Sequence, residues 1–172
     1  WSCYHLSAVI LYYPDYILVQ DIIIPCIKIS KNRDLRPFGS GHFDLLKNIY
    51  NFTKGFLLDY ANRGGVVVCM AQMLGDDFKA LPVPAGQEID AAGWKQDLSC
   101  FANAAYPCTD HPILSGITTA SVTAGIDGFF TKVPSNAEVL LRRTASGEPC
   151  MIVYPVGQGW VIATTMYEDW AY

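Results

Sequence analysis

Apolar and polar positions fall into three regimes along the chain. "YILVQDIII", Tyr16 to Ile24, is a nearly continuous β-branched run held between Pro14-Asp15 and Pro25. Such a run predicts a strand buried on both faces of a parallel sheet. The polar stretch "KISKNRDLRPFGSG", with Pro37, Gly39 and Gly41, predicts a loop. From His42 to Asn62 the apolar residues Phe43, Leu46, Tyr50, Leu57 and Tyr60 recur at helical spacing. Arg63-Gly64-Gly65 should end that helix, because glycine takes a left-handed C-terminal position without steric cost. Val66, Val67, Val68 and Cys69 then predict a second buried strand. Strand, helix and strand in this order predict a βαβ unit with a right-handed crossover.

Between Met70 and Ala120 the pattern loosens. "LPVPAGQE" reads as an extended loop, and the residues after it mix aromatics, small side chains and turn formers. Three β-like runs follow, Ala137 to Arg143, Pro149 to Tyr154 and Gly159 to Met166. Their linkers "TASGE" and "PVGQG" carry tight-turn chemistry, which predicts an antiparallel meander on the sheet edge. The expected fold is α/β: one domain over 1–172, a three-layer flavodoxin-like open sheet, mostly parallel, with an antiparallel C-terminal meander and an irregular middle insertion.

Composition narrows the function classes. The chain has 172 residues, half of them apolar and 16% charged, which suits one hydrophobic core and excludes disorder. A net charge of −4 argues against nucleic acid or an anionic membrane surface as partner. The greasy stretch Ala8 to Ile29 is broken by Pro14, Asp15, Gln20, Asp21 and Pro25, so no membrane span is expected. No stretch resembles a signal peptide. The chain starts at Trp1 without a methionine and is expected to be a piece of a longer protein, whose other domains are the expected partners.

Six cysteines, Cys3, Cys26, Cys69, Cys100, Cys108 and Cys150, form neither a CxxC pair nor a cluster at zinc spacing. No metal or cofactor is expected. Cys26, Cys69 and Cys150 lie in apolar runs and read as buried thiols. Cys100 and Cys108 flank a short loop stiffened by Pro107, and should pair if the protein is exported.

"YPDYILVQDIII", "LLDYANRGGVVVC", "HPILSGI" and "GEPCMIVYPVGQGWVIATTMYEDW" together resemble the class I glutamine amidotransferase-like superfamily. The likeness is closer to its non-catalytic branch, such as the trimerisation domain of some β-galactosidases and ThuA-like proteins. It implies a structural, partner-binding or ligand-binding module. The catalytic branch carries "G-x-C-x-G" at a strand-to-helix elbow and a later "H-x-E". At the matching positions this chain has Val67 and Ala71 around Cys69, and Ile113 after His111-Pro112. The tight elbow that brings an oxyanion hole close needs those glycines, and the histidine needs its orienting carboxylate. Cys69 is therefore expected to be a core thiol. The second reading is a cysteine-dependent hydrolase or amidotransferase using Cys69 and His111.

Aromatics make up 13% of the chain, and Trp94, Phe101, Tyr106, Phe129 and Phe130 cluster in or near the insertion. Open α/β sheets bind ligands at the carboxyl ends of their strands, where that insertion is expected. The candidate ligand-binding residues are Trp94, Asp97, His111, Asp127 and Asp169, for a small molecule or a carbohydrate. A carbohydrate-associated accessory domain is the third reading, by analogy with the β-galactosidase relatives. Asp76-Asp77 read as acids complementing a helix start, with a cation as the alternative. Glu168-Asp169 beside Tyr167 and Trp170 read as a capped strand end, with an acid/base corner as the alternative. Asn51-Phe52-Thr53 is a glycosylation sequon that falls within the predicted helix.

Overall fold

A computed structural model describes residues 9–12, 16–20, 41–70, 75–93, 96, 104–117, 122–123, 125–126 and 128–167. β1 (Val9–Tyr12) pairs antiparallel with β2 (Tyr16–Gln20). The predicted helix follows as α1 (Gly41–Asn62) and leads into β3 (Val66–Met70), which lies parallel to β2. After a 3-10 segment (Gly75–Ala80) come β4 (Asp90–Ala92), β5 (Ala104–Pro107), a 3-10 turn (Pro112–Leu114), β6 (Val122–Thr123) and β7 (Gly125–Ile126). The chain continues through β8 (Phe129–Lys132), β9 (Glu138–Arg143), β10 (Pro149–Val156), β11 (Gly159–Thr164) and β12 (Met166–Tyr167).

Among the described residues eight strands share one sheet in the order β1-β2-β3-β11-β10-β9-β5-β6, and two short antiparallel ribbons, β4-β8 and β7-β12, lie outside it. Only β2-β3 and β3-β11 are parallel; the other pairings in the sheet are antiparallel. The expectation of a mostly parallel, three-layer flavodoxin-like sheet is therefore wrong. Among the described residues strands dominate, one α-helix is present, and the sheet is mixed. The βαβ unit exists, but it supplies one step of the sheet rather than its plan.

The meander's position explains the error. It does not sit on the edge: β11 packs directly against β3, and β5 and β6 continue the sheet beyond β9. "MIVYPV" in β10 is apolar on both pleat faces, and such a strand is stable only with a neighbour on each side. Within the described part of the insertion, β5 is regular and joins the sheet beside β9, and β6 follows it just after the insertion. β2 lies one strand in from the edge, and residues 21–24 of the predicted strand lie outside the described residues.

One face of the sheet carries α1. Leu57 and Ala61 pack with Val67, Cys69, Ile152, Tyr154, Val156, Val161 and Ala163, joined by Phe78 of the 3-10 segment, Leu81 just after it and Phe130 of β8. Phe78 and Phe130 meet edge to face with ring centroids 4.8 Å apart. The buried Tyr154 hydroxyl donates to the Pro82 carbonyl at 3.0 Å, which satisfies the one polar atom this ring takes into the core. The second face carries a smaller cluster, Ala105, Leu114, Ile126, Leu140, Leu141, Cys150 and Val153, toward the β9-β5 side.

Glycine sets how closely α1 seats. Gly64 takes φ +94° after the last turn. Its N–H donates to the Ala61 carbonyl at 2.9 Å, and the Gly65 N–H donates to the Tyr60 carbonyl at 3.1 Å. This is the paired Schellman closure, which satisfies two carbonyls that a helix end otherwise leaves open. At Gly159, which opens β11, an added Cβ would lie 2.1 Å from the Gly65 oxygen and 2.5 Å from the Ala61 oxygen. Only a residue without a side chain lets the β10-β11 turn nest under the helix end, where the Trp160 N–H reaches the Gly65 carbonyl at 3.1 Å.

Candidate binding surfaces

The two residues of the nucleophile reading stand far apart. Cys69 is fully buried in β3, with Val19 and Ala163 as its cross-strand neighbours. His111 follows β5, four strands away in the sheet order, which is about 19 Å at the usual inter-strand spacing. Its imidazole Nδ1 accepts the Ile113 N–H at 3.2 Å, so the ring caps its own 3-10 turn. The chain does not bring the pair together. Of the other candidate ligand-binding residues, Trp94, Asp97, Asp127 and Asp169 lie outside the described residues, as does Cys100.

Cys108 is an exposed free thiol just beyond β5, and its sulfur lies 2.9 Å from the Val139 carbonyl it donates to. Desolvation raises its pKa above the ordinary thiol value, against the lowering pull of Arg142. Cys150 is buried in β10, and there desolvation pushes the thiol up to about 12. Of the five aromatics singled out in the sequence, Trp94 and Phe101 lie outside the described residues and the other three do not share one platform. Phe130 is core, half-buried Phe129 lies 5.7 Å beneath the buried Arg143 guanidinium, and half-buried Tyr106 lies in β5, away from the parallel strands.

A groove of about 310 Å³ runs between α1 and the segment leading into β4, lined by Lys54, Lys79, Val83, Gln87, Glu88, Ile89 and Asp90. Its charges are mostly matched. Lys79 bonds Asp76 at 2.5 Å and lies 3.7 Å from Asp90, while Lys132 bonds Glu88 at 2.8 Å. The hydrogen bond to Lys132 holds Glu88 below its ordinary carboxylate value, and the bond to Asp76 holds Lys79 above its ordinary ammonium value. These pairs are exposed and screened, so they fix side-chain positions more than they stabilise the fold. Asp76 thus turns to a lysine, and no group of three or more potential metal ligands occurs among the described residues.

The most unusual surface lies on the sheet face opposite α1. Small residues of β11, Gly159 and Ala163, face the helix together with Val161, which leaves Trp160 and Ile162 on the other side. Trp160 is 46% exposed, although its strand has a neighbour on each side. Its cross-strand partners are Val66 and Pro155, and the next rung holds Val68, Ile162 and Val153. Val66, Val68, Pro155 and Ile162 are half-buried. The second core cluster covers this face toward β9 and stops short of Trp160. In "GWVIAT" Trp160 and Ile162 alternate with Gly159, Val161 and Ala163, which puts the two large side chains on one face, but which face α1 covers is settled only by the packing.

No family model matches the chain, and no curated protein does. Solved structures similar to it include the cytoplasmic protein STM1381 from Salmonella typhimurium LT2, at 12% identity and TM-score 0.47, covering 74% of this chain and 56% of that one. Others are the exo-β-1,4-mannosidase Op5Man5 from Opitutaceae bacterium strain TAV5 (18% identity, TM-score 0.37, 66% and 18% covered) and the β-galactosidase from Bacillus circulans sp. alkalophilus (14%, 0.38, 70% and 18%). The chain thus spans about half the length of the first and under a fifth of the other two.

Proposed function

We propose that this chain is a non-catalytic, amidotransferase-like module that docks onto a neighbouring domain of a longer protein through the sheet face bearing Trp160. The observation that carries the proposal is Trp160 itself, a large indole left 46% exposed in an internal strand. Apolar residues grouped around an exposed tryptophan are the usual make-up of an interface centre, where burial of the ring dominates the binding energy. The quoted sequence motifs support the amidotransferase-like half of the proposal. The separation of Cys69 from His111 supports a binding role over the hydrolase reading.

Hydroxyl-radical footprinting read by mass spectrometry tests it. Trp160 should oxidise readily in the isolated chain and become protected when the chain is produced with the domains encoded on either side of it. Equal oxidation of Trp160 in both forms would overturn the proposal. Trp160→Asp should restore proteolytic cleavage at the domain junction of the longer protein without unfolding the module.

A further inference from the structure

We propose that Asn51 is an acceptor for N-linked glycosylation in the exported protein, and that the attached glycan covers the exposed apolar side of α1. Asn51-Phe52-Thr53 is the only Asn-x-Ser/Thr sequence in the chain. In the folded protein Asn51 is exposed on α1. The outward side of the helix carries an apolar patch ahead of the exposed Asp59-Arg63 ion pair: Phe52 is 77% exposed and Phe56, one turn on, is 44% exposed. Gly55 and Leu58 fall one and two turns along the same stripe as Asn51. An added Cβ at Gly55 would meet nothing within 4 Å, and Leu58 is 36% exposed. A sugar linked at Asn51 therefore has an open path along the helix, with aromatic rings beside it that match the apolar faces of pyranose rings.

The transfer balances with one co-substrate, a polyprenyl-diphosphate-linked oligosaccharide. The side-chain amide nitrogen of Asn51 attacks the anomeric carbon, a C–N bond forms, and the C–O bond to the diphosphate breaks. The amide proton passes to the transferase's base, and the lipid diphosphate leaves. Helical placement is no obstacle, because transfer takes place on the emerging chain before α1 closes. The folded position decides only whether the product can fold, and an outward-facing Asn51 allows that.

The test is to direct the whole chain into the secretory pathway of a eukaryotic cell with a cleavable leader, and to map peptides from all of it, secreted or retained. A glycopeptide containing Asn51, converted to aspartate at that position by peptide N-glycosidase, is the expected result. It should be lost in Asn51→Gln and in Thr53→Ala and kept in Thr53→Ser. An unmodified Asn51 throughout that pool would overturn the proposal, and needs no variant to read. Removing the glycan from the folded protein should raise its binding of a hydrophobic fluorescent dye, and Phe52→Ser should cancel the rise. Unchanged dye binding would overturn the covering role.

Discussion

Cys69, Cys108 and Cys150 each behave as their surroundings dictate, while Cys3, Cys26 and Cys100 lie outside the described residues. Of the three cysteines among the described residues, Cys108 should alkylate first in the reduced, folded chain, because it is the exposed one. Cys69 and Cys150, both buried, should label only as fast as the sheet opens, and mass-mapped alkylation against time gives the order. Labelling of Cys69 faster than global unfolding, lost in His111→Ala, would return the hydrolase reading. Cys69→Ala should cost about 1 kcal/mol of unfolding free energy by urea titration, the value of a small buried side chain. In exported protein, peptide mapping under non-reducing conditions should find Cys108 paired with Cys100, since a loop that short contributes about 2–3 kcal/mol when closed.

At the scale of the element, the two glycines after α1 do different work. Gly64 holds a positive φ, so Gly64→Val should cost about 1–2 kcal/mol through the backbone alone. Gly65 has no such φ, but a Cβ there would lie 2.2 Å from the Tyr60 ring, so Gly65→Val acts by steric conflict instead. Pairing each with Tyr60→Ala separates the causes: only the Gly65 penalty should shrink. The helix, its end and the strand after it were legible from apolar spacing and that glycine pair. The same local cues in "TASGE" and "PVGQG" located the hairpins correctly. Neighbour choice was not legible, because a strand such as β11 pairs as well with a parallel as with an antiparallel edge, and alternation alone does not rank them. Trp160 was missed for a related reason: its exposure depends on which face α1 covers. His111 was found as a residue, but its tie to the Ile113 N–H depends on a backbone turn that no spacing reveals.

For the molecule as a whole, burial of ionisable groups sets a limit at alkaline pH. The folded state keeps the Cys150 proton to about pH 12, whereas the unfolded thiol releases it near 9.0. Between those values the unfolded state binds fewer protons, so stability falls as pH rises. Burial also raises the Tyr154 phenol above its ordinary 10.0, which steepens the fall in the same direction. Urea midpoints should be flat from neutral pH to about pH 9 and then drop, and Cys150→Ala should reduce the drop without abolishing it. A midpoint that rises above pH 9 would mean that neither group is buried as described.

The contact of Gly159 with the α1 end also has a consequence for synthesis. β3 has β2 as one neighbour early, but its other neighbour, β11, leaves the ribosome only after β4 to β10. Until then α1 has half its seat, and the apolar side of β3 stays unprotected. Pairings so distant in sequence form slowly and leave such surfaces exposed to association meanwhile. A chain ending at residue 156 should therefore be digested by protease throughout β3 and recovered with chaperones, whereas one ending at residue 167 should resist. β10 and β11 act as the clasp that closes β2, β3 and α1.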